Sequence, residues 1–134
     1  MNKGFTLVEI MIVVAIIAIL AVIAIPSLLR AHINANEIRT KETLHALVVA
    51  LESYAAQEGV YPNSEADLTT TTPPYLNEPI CGKTQYGYVF SCSGWNSTGY
   101  TISAQPSPGG CNTRGSKQWV VTTGNVWTES SCTP

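Results

Sequence analysis

From Ile10 to Ile25 the chain carries only apolar residues, with Glu9 at the start of the run and Arg30 as the next charge. The twenty residues between those two charges match the length a helix needs to cross a bilayer's hydrocarbon core. A helix apolar on every side requires burial in lipid or protein. Beyond Pro26 the pattern changes. Leu44, Leu47, Val48, Leu51, Tyr54 and Ala55 recur at spacings of three and four, which is one apolar helical face. Gly59 and Pro62 supply the stop. The pattern predicts one helix from Phe5 to Glu58, 54 residues and about 80 Å long. Pro26 removes one of its hydrogen bonds, so a kink or local melting is expected there. Ala15, Ala18, Ala21 and Ala24 recur every three residues, a spacing found in ordinary membrane helices and in close helix packing.

After the helix, residues 60–80 are rich in Pro and Thr. They read as a connecting loop with one short helical turn near Ser64 to Leu68, capped by Ser64. Tyr86–Ser91 and Tyr100–Ala104 read as strands joined through the loop C-S-G-W-N-S-T-G. Gln118–Thr122 and Asn125–Thr128 form a second hairpin across T-G-N. The expected architecture is α+β: a long N-terminal helix, apolar then amphipathic, whose second half covers a three- or four-stranded antiparallel sheet. Trp119 and Trp127 fall on strands and read as packing residues. Trp95 falls in a loop tip and reads as an adhesive or intersubunit contact. Asn96-Ser97-Thr98 matches a glycosylation sequon by accident of sequence.

Composition narrows the chemistry. The net charge is −2 and only 12% of residues are charged, which excludes a nucleic-acid binder built on a broad basic face. Lys83, Arg114 and Lys117 are the basic residues of the C-terminal half, enough for weak, salt-sensitive nucleic-acid attachment at most. Asp67 is the sole aspartate, His32 and His45 do not share a helix face, and no nucleophile or phosphate-loop motif occurs. An enzyme has almost nothing to be built from, and no cofactor or metal site is expected. Cys81, Cys92, Cys111 and Cys132 include no C-x-x-C pair, so two disulfides are expected in an oxidising compartment. Cys81 and Cys92 flank the first strand, and Cys111 and Cys132 nearly bracket the last hairpin. Cys81–Cys92 and Cys111–Cys132 are therefore the favoured pairs among the three pairings that four cysteines permit.

The start of the chain, K-G-F-T-L-V-E-I-M, decides between kinds of apolar segment. A cleaved secretory signal fits Lys3 but not Glu9, and no A-x-A site with a break follows. An ordinary single-pass anchor fits the length but leaves Glu9 without a purpose, since a carboxylate well inside a bilayer costs about 2.5–3.5 kcal/mol. The stretch resembles the processing site of type IV prepilins and type II secretion pseudopilins. The resemblance covers Lys3 to Pro26 closely, extends loosely to about Pro62, and is architectural beyond.

That resemblance implies a leader at residues 1–4, a membrane and filament-core helix at 5–29 and a pilin head at 30–134. It implies cleavage by a prepilin peptidase between Gly4 and Phe5, with methylation of the Phe5 amino group. Glu9 matches the family's glutamate and Pro26 its helix-bending proline. The new amino group is largely cationic near neutral pH. At about 4 Å from a neighbour's carboxylate, it attracts by about 4 kcal/mol at an effective dielectric of 20. Glu9 and Phe5 are thus the expected assembly pair between subunits. The implied function is a pilus subunit that waits in the bacterial inner membrane with its head in the periplasm. Assembly machinery then polymerises it with itself and other pilins into an extracellular filament. Two alternatives stand: a type II secretion pseudopilin, and a monomeric membrane-anchored binding module. Major pseudopilins bind calcium through acidic C-terminal loops, whereas the last 55 residues here hold only Glu129. This departure leans toward a pilus subunit.

Overall fold

The structure is a computed structural model and describes residues 4–133. Residues 1–3 of the expected leader lie outside the described residues. A single helix, α1 (Leu7–Glu58), precedes a four-residue helix α2 (Ala66–Thr69) and five strands. These are β1 (Thr84–Gln85), β2 (Tyr88–Asn96), β3 (Gly99–Pro106), β4 (Lys117–Thr122) and β5 (Val126–Ser131). The strands form one antiparallel sheet in sequence order. The result is an α+β, pilin-like fold. The chain divides into two compact units, residues 1–32 and 33–134.

In the first unit α1 carries only apolar residues from Ile10 to Ile25, and its large side chains there are exposed. Its most apolar window has a mean hydropathy of 3.2 with none of it buried. The helical assignment is continuous through Pro26, so the local melting expected there does not occur. Proline removes only the bond to the carbonyl one turn back, and the turns on either side hold the helical path.

In the second unit the amphipathic part of α1 lies on the sheet. Leu44, Leu47 and Leu51 are fully buried, in one cluster with Phe90, Ile102 and Val121. The period-two pattern is clear in β3, where Tyr100, Ile102 and Ala104 are buried and the residues between them are not. That face of the sheet is apolar because α1 covers it.

Three boundaries differ from the sequence reading, each for a local reason. β2 runs on to Asn96, because Gly94 takes φ +63° within a register shift between Ser93 and Asn96. The glycine that reads as a turn is a bulge, and the real turn is Ser97–Thr98. Trp95 therefore sits on a strand, half-buried against the core, and not at a loop tip. The short helix starts later than expected and Ser64 does not cap it. Instead the Asp67 carboxylate accepts the N–H groups of Asn63 and Ser64, each at 3.0 Å. A fifth strand, β1, precedes Tyr86, which itself lies in the two-residue turn to β2.

Carboxylates fasten the elements together. Glu52 of α1 accepts the hydroxyls of Tyr100 at 2.8 Å and Tyr61 at 3.0 Å. Glu37 accepts the backbone N–H of Ser116 at 2.8 Å and its hydroxyl at 2.7 Å. Glu65 accepts the N–H groups of Ile80 and Cys81. Cys81 is bridged to Cys92 and Cys111 to Cys132, with Cα separations of 5.6 and 5.8 Å. Both bridges join segments outside α1.

Two core tyrosines make the fold sensitive to base. Burial pushes the Tyr88 phenol up to about 12, with the nearby Glu37 charge adding to it. Burial and the hydrogen bond to Glu52 push Tyr100 up as well. Each phenol binds its proton more tightly folded than unfolded, where its pKa is about 10. Their contribution to stability is complete below about pH 10 and is lost as the pH climbs toward 12. In an alkaline titration, these two of the six tyrosines should ionise only together with loss of the circular dichroism signal. Tyr88 and Tyr100 ionising before the fold opens would contradict this burial.

Candidate functional site

The N-terminal site is built on the first turn of α1. Thr6 and Glu9 close a reciprocal cap. The Thr6 N–H and hydroxyl both donate to the Glu9 carboxylate at 2.7 Å, and the Glu9 N–H donates to the Thr6 hydroxyl oxygen at 3.3 Å. This capping box explains why the helix starts at Leu7 and not at Phe5, and it gives Glu9 a partner within its own chain. The signal was legible as T-L-V-E and was missed in the sequence reading. Just before it, Phe5 is 85% exposed. Around Gly4 the space is open, with no atom within 4 Å of where a Cβ would stand. The Gly4–Phe5 bond is thus unobstructed, and one carboxylate stands at the foot of an all-apolar helix.

Residues 1–25 match the model of the prokaryotic N-terminal methylation motif. No characterised protein and no solved structure matches the chain. The motif is typical of type IV pilins and type II pseudopilins, and the long N-terminal helix against an antiparallel sheet is a pilin-like fold. The motif implies prepilin peptidase processing and an assembly machinery, and with the apolar helix it suggests a membrane-anchored or secreted state.

The other sequence candidates disperse. Of the basic residues Lys83, Arg114 and Lys117, two are engaged in ion pairs. Lys83 pairs with Glu78 at 3.4 Å and Lys117 with Glu129 at 2.7 Å. Lys117 and the Trp119 indole N–H hold the Glu129 carboxyl below its usual range. The Asn96 side chain is spent on an Asx turn, donating to the Gly94 carbonyl and accepting the Thr98 N–H at 2.9 Å. Trp127 lies beside His45, ring centroids 6.5 Å apart. Trp119 is buried.

One surface cluster was not foreseen. Tyr86 and Gly87 form the β1–β2 turn with φ of 53° and 79°, the type I′ pattern. A bulky residue at the first position is strained, by about 1–3 kcal/mol. The Tyr86 ring is 42% exposed, and the Arg39 guanidinium carbon sits 5.5 Å from its centroid. The stem of Arg114 lies across Gly87, where a Cβ would meet it at 2.8 Å. Asn36 of α1 holds the Arg114 carbonyl at 3.0 Å. Residues 39, 86 and 114 are thus brought together from helix, turn and loop. Their separation in sequence hides the cluster from any local reading.

Proposed function

We propose that the chain is a structural subunit of a type IV pilus, polymerised through its N-terminal helix into a cell-surface filament. The carrying observation is the helix segment from Ile10 to Ile25, apolar throughout with its large side chains exposed, which a lone chain can keep only in lipid. In a bundle the same surface is buried against copies of itself, so leaving the bilayer costs little once neighbours are present.

In this reading residues 1–4 are a leader cut by prepilin peptidase, and Phe5 becomes the methylated N-terminus. Residues 5–29 form the filament core and 30–134 the head. Glu9 is the assembly carboxylate, paired with the Phe5 amino group of a neighbour. The two disulfides suit a head that folds in the periplasm and ends up outside the cell. Glu129 is engaged by Lys117, so the sole carboxylate of the C-terminal segment is not free for calcium. This favours a pilus over a secretion pseudopilus.

Electron microscopy of material sheared from the cell surface, with mass spectrometry of its subunit, tests the reading. The expected subunit begins at Phe5 and carries one added methyl group, in filaments unaffected by a calcium chelator. Chain recovered from the membrane with residues 1–4 still attached, and no filaments, would overturn it.

A further inference from the structure

We propose that Arg39, Arg114 and the Tyr86 ring form one half of a head-to-tail contact between copies of this chain. The other half is the groove at the C-terminal end of α1 that Glu58 lines. The inference rests on the filament reading and adds which surfaces of neighbouring heads meet.

Along α1 the charges differ from middle to end: Arg39 and Lys41 stand among Glu37 and Glu42, whereas Glu52 and Glu58 have no basic residue beside them toward its C-terminal end. Among the described residues, only Lys83 and Lys117 lie within ion-pair distance of a carboxylate. Arg39 and Arg114 are exposed and have no ion-pair partner among the described residues; Arg39 lies over the Tyr86 ring and the stem of Arg114 lies against Gly87. From Glu42 to Gly82 the chain has no lysine or arginine, and the last turn of α1 has no basic residue. Some of the acids in this stretch are engaged internally: Glu52 and Glu65 by hydrogen bonds, Glu78 by Lys83. Glu58 is exposed and free of an ion pair among the described residues. Asp67 caps two backbone N–H groups and keeps its charge uncompensated. Burial raises the Tyr54 phenol, and the Asp67 and Glu58 charges add to it.

The acidic end has a shaped receptor. Glu58, Gln57, Thr71, Pro74 and Tyr75 line a groove of about 510 Å³. Tyr75 packs edge-on against Tyr54 with centroids 5.5 Å apart. The Thr71 hydroxyl oxygen is sealed from solvent without a partner. A guanidinium entering this groove meets a carboxylate and an aromatic wall. This combination suits arginine more than lysine.

Arg39 and Glu58 are nineteen residues apart on one unbroken helix, about 28 Å at 1.5 Å per residue. No chain can join its own two patches, so the contact is between copies. It is also heterologous: each copy keeps one free patch of each sign, which extends an open filament and does not close a dimer. With parallel helices, contacting neighbours are offset along the axis by about 28 Å. The acceptor is a second copy and not a nucleic acid, because this chain itself supplies the matching acidic groove and two guanidiniums give little phosphate affinity.

The test uses the full chain in cells that make filaments. R39E and E58R should each lower filament yield at least about tenfold, through like charges brought face to face, and the R39E/E58R swap should recover most of it. In sheared filaments of R39K, a zero-length carbodiimide should link the introduced amine to Glu58 or Asp67 of another copy. A link to Glu58 cannot be intramolecular across about 28 Å. Single variants with normal filaments and no such link overturn the proposal, as does loss without recovery in the swap. R39E filaments of normal yield that no longer bind duplex DNA would instead assign the patch to nucleic acid. Absence of filaments from the unaltered chain overturns the filament reading itself.

Discussion

On the proposed function, Glu9→Gln should abolish filaments while leaving the proposed cut after Gly4 intact. Glutamine at the third position of a capping box still reaches back to the threonine N–H, so the helix start survives the change. What disappears is the charge. A carboxylate beside a neighbour's amino group gains about 4 kcal/mol at an effective dielectric of 20, and an amide gains only a fraction of that. Lost at every subunit joint, this is more than about a hundredfold per addition step. Thr6→Val makes the converse change. It removes the hydroxyl that caps α1 and leaves the carboxylate, for about 1 kcal/mol in helix stability, and filaments should persist at reduced yield. Quantifying sheared filaments alongside the mass of the processed chain separates the two. Full filament yield from E9Q would mean that the carboxylate serves the cap alone.

Glu52→Ala should be the most damaging single change to a polar residue of the head. Two phenols lose a charged acceptor at once: Tyr100, 2% exposed, and the half-buried Tyr61. Bonds to charged groups contribute about 1.5–3 kcal/mol each, and a donor left buried without a partner costs a similar amount. A loss of about 3 kcal/mol overall is expected, or a fall in Tm of roughly 12–24 °C for a domain of this size. Glu52→Gln keeps an oxygen acceptor and should lose less than half as much. Thermal unfolding of the two variants provides the comparison, and equal Tm values would show that the bonds do not hold the helix to the sheet.

The parts of this fold that were legible in the sequence are those whose signals are local. The apolar run before Pro26 and the three-four spacing from Leu44 to Ala55 are periodic, and α1 follows them to Glu58. The antiparallel sheet followed from alternating strands and short turns. Gly94 misled because a glycine inside a strand and a glycine in a turn look alike until register is known. Thr84–Gln85 is too short to announce a strand. Glu37 and Glu52 were invisible as fasteners because their partners lie 79 and 48 residues away. The pairing of Lys83 with Glu78 and of Lys117 with Glu129 depends on which loops fold back. Arg39 and Tyr86 could not have been joined without the turn that carries them.

The placement of the two cystine bridges has a mechanical consequence. Both lie wholly outside α1, so the seam between helix and sheet is held only by packing and by hydrogen bonds such as those of Glu37 and Glu52. If tension enters each molecule through its helix, the covalent cross-links reinforce a part that carries little of the load. The seam yields first under pulling, and it yields with every sulfur bond intact.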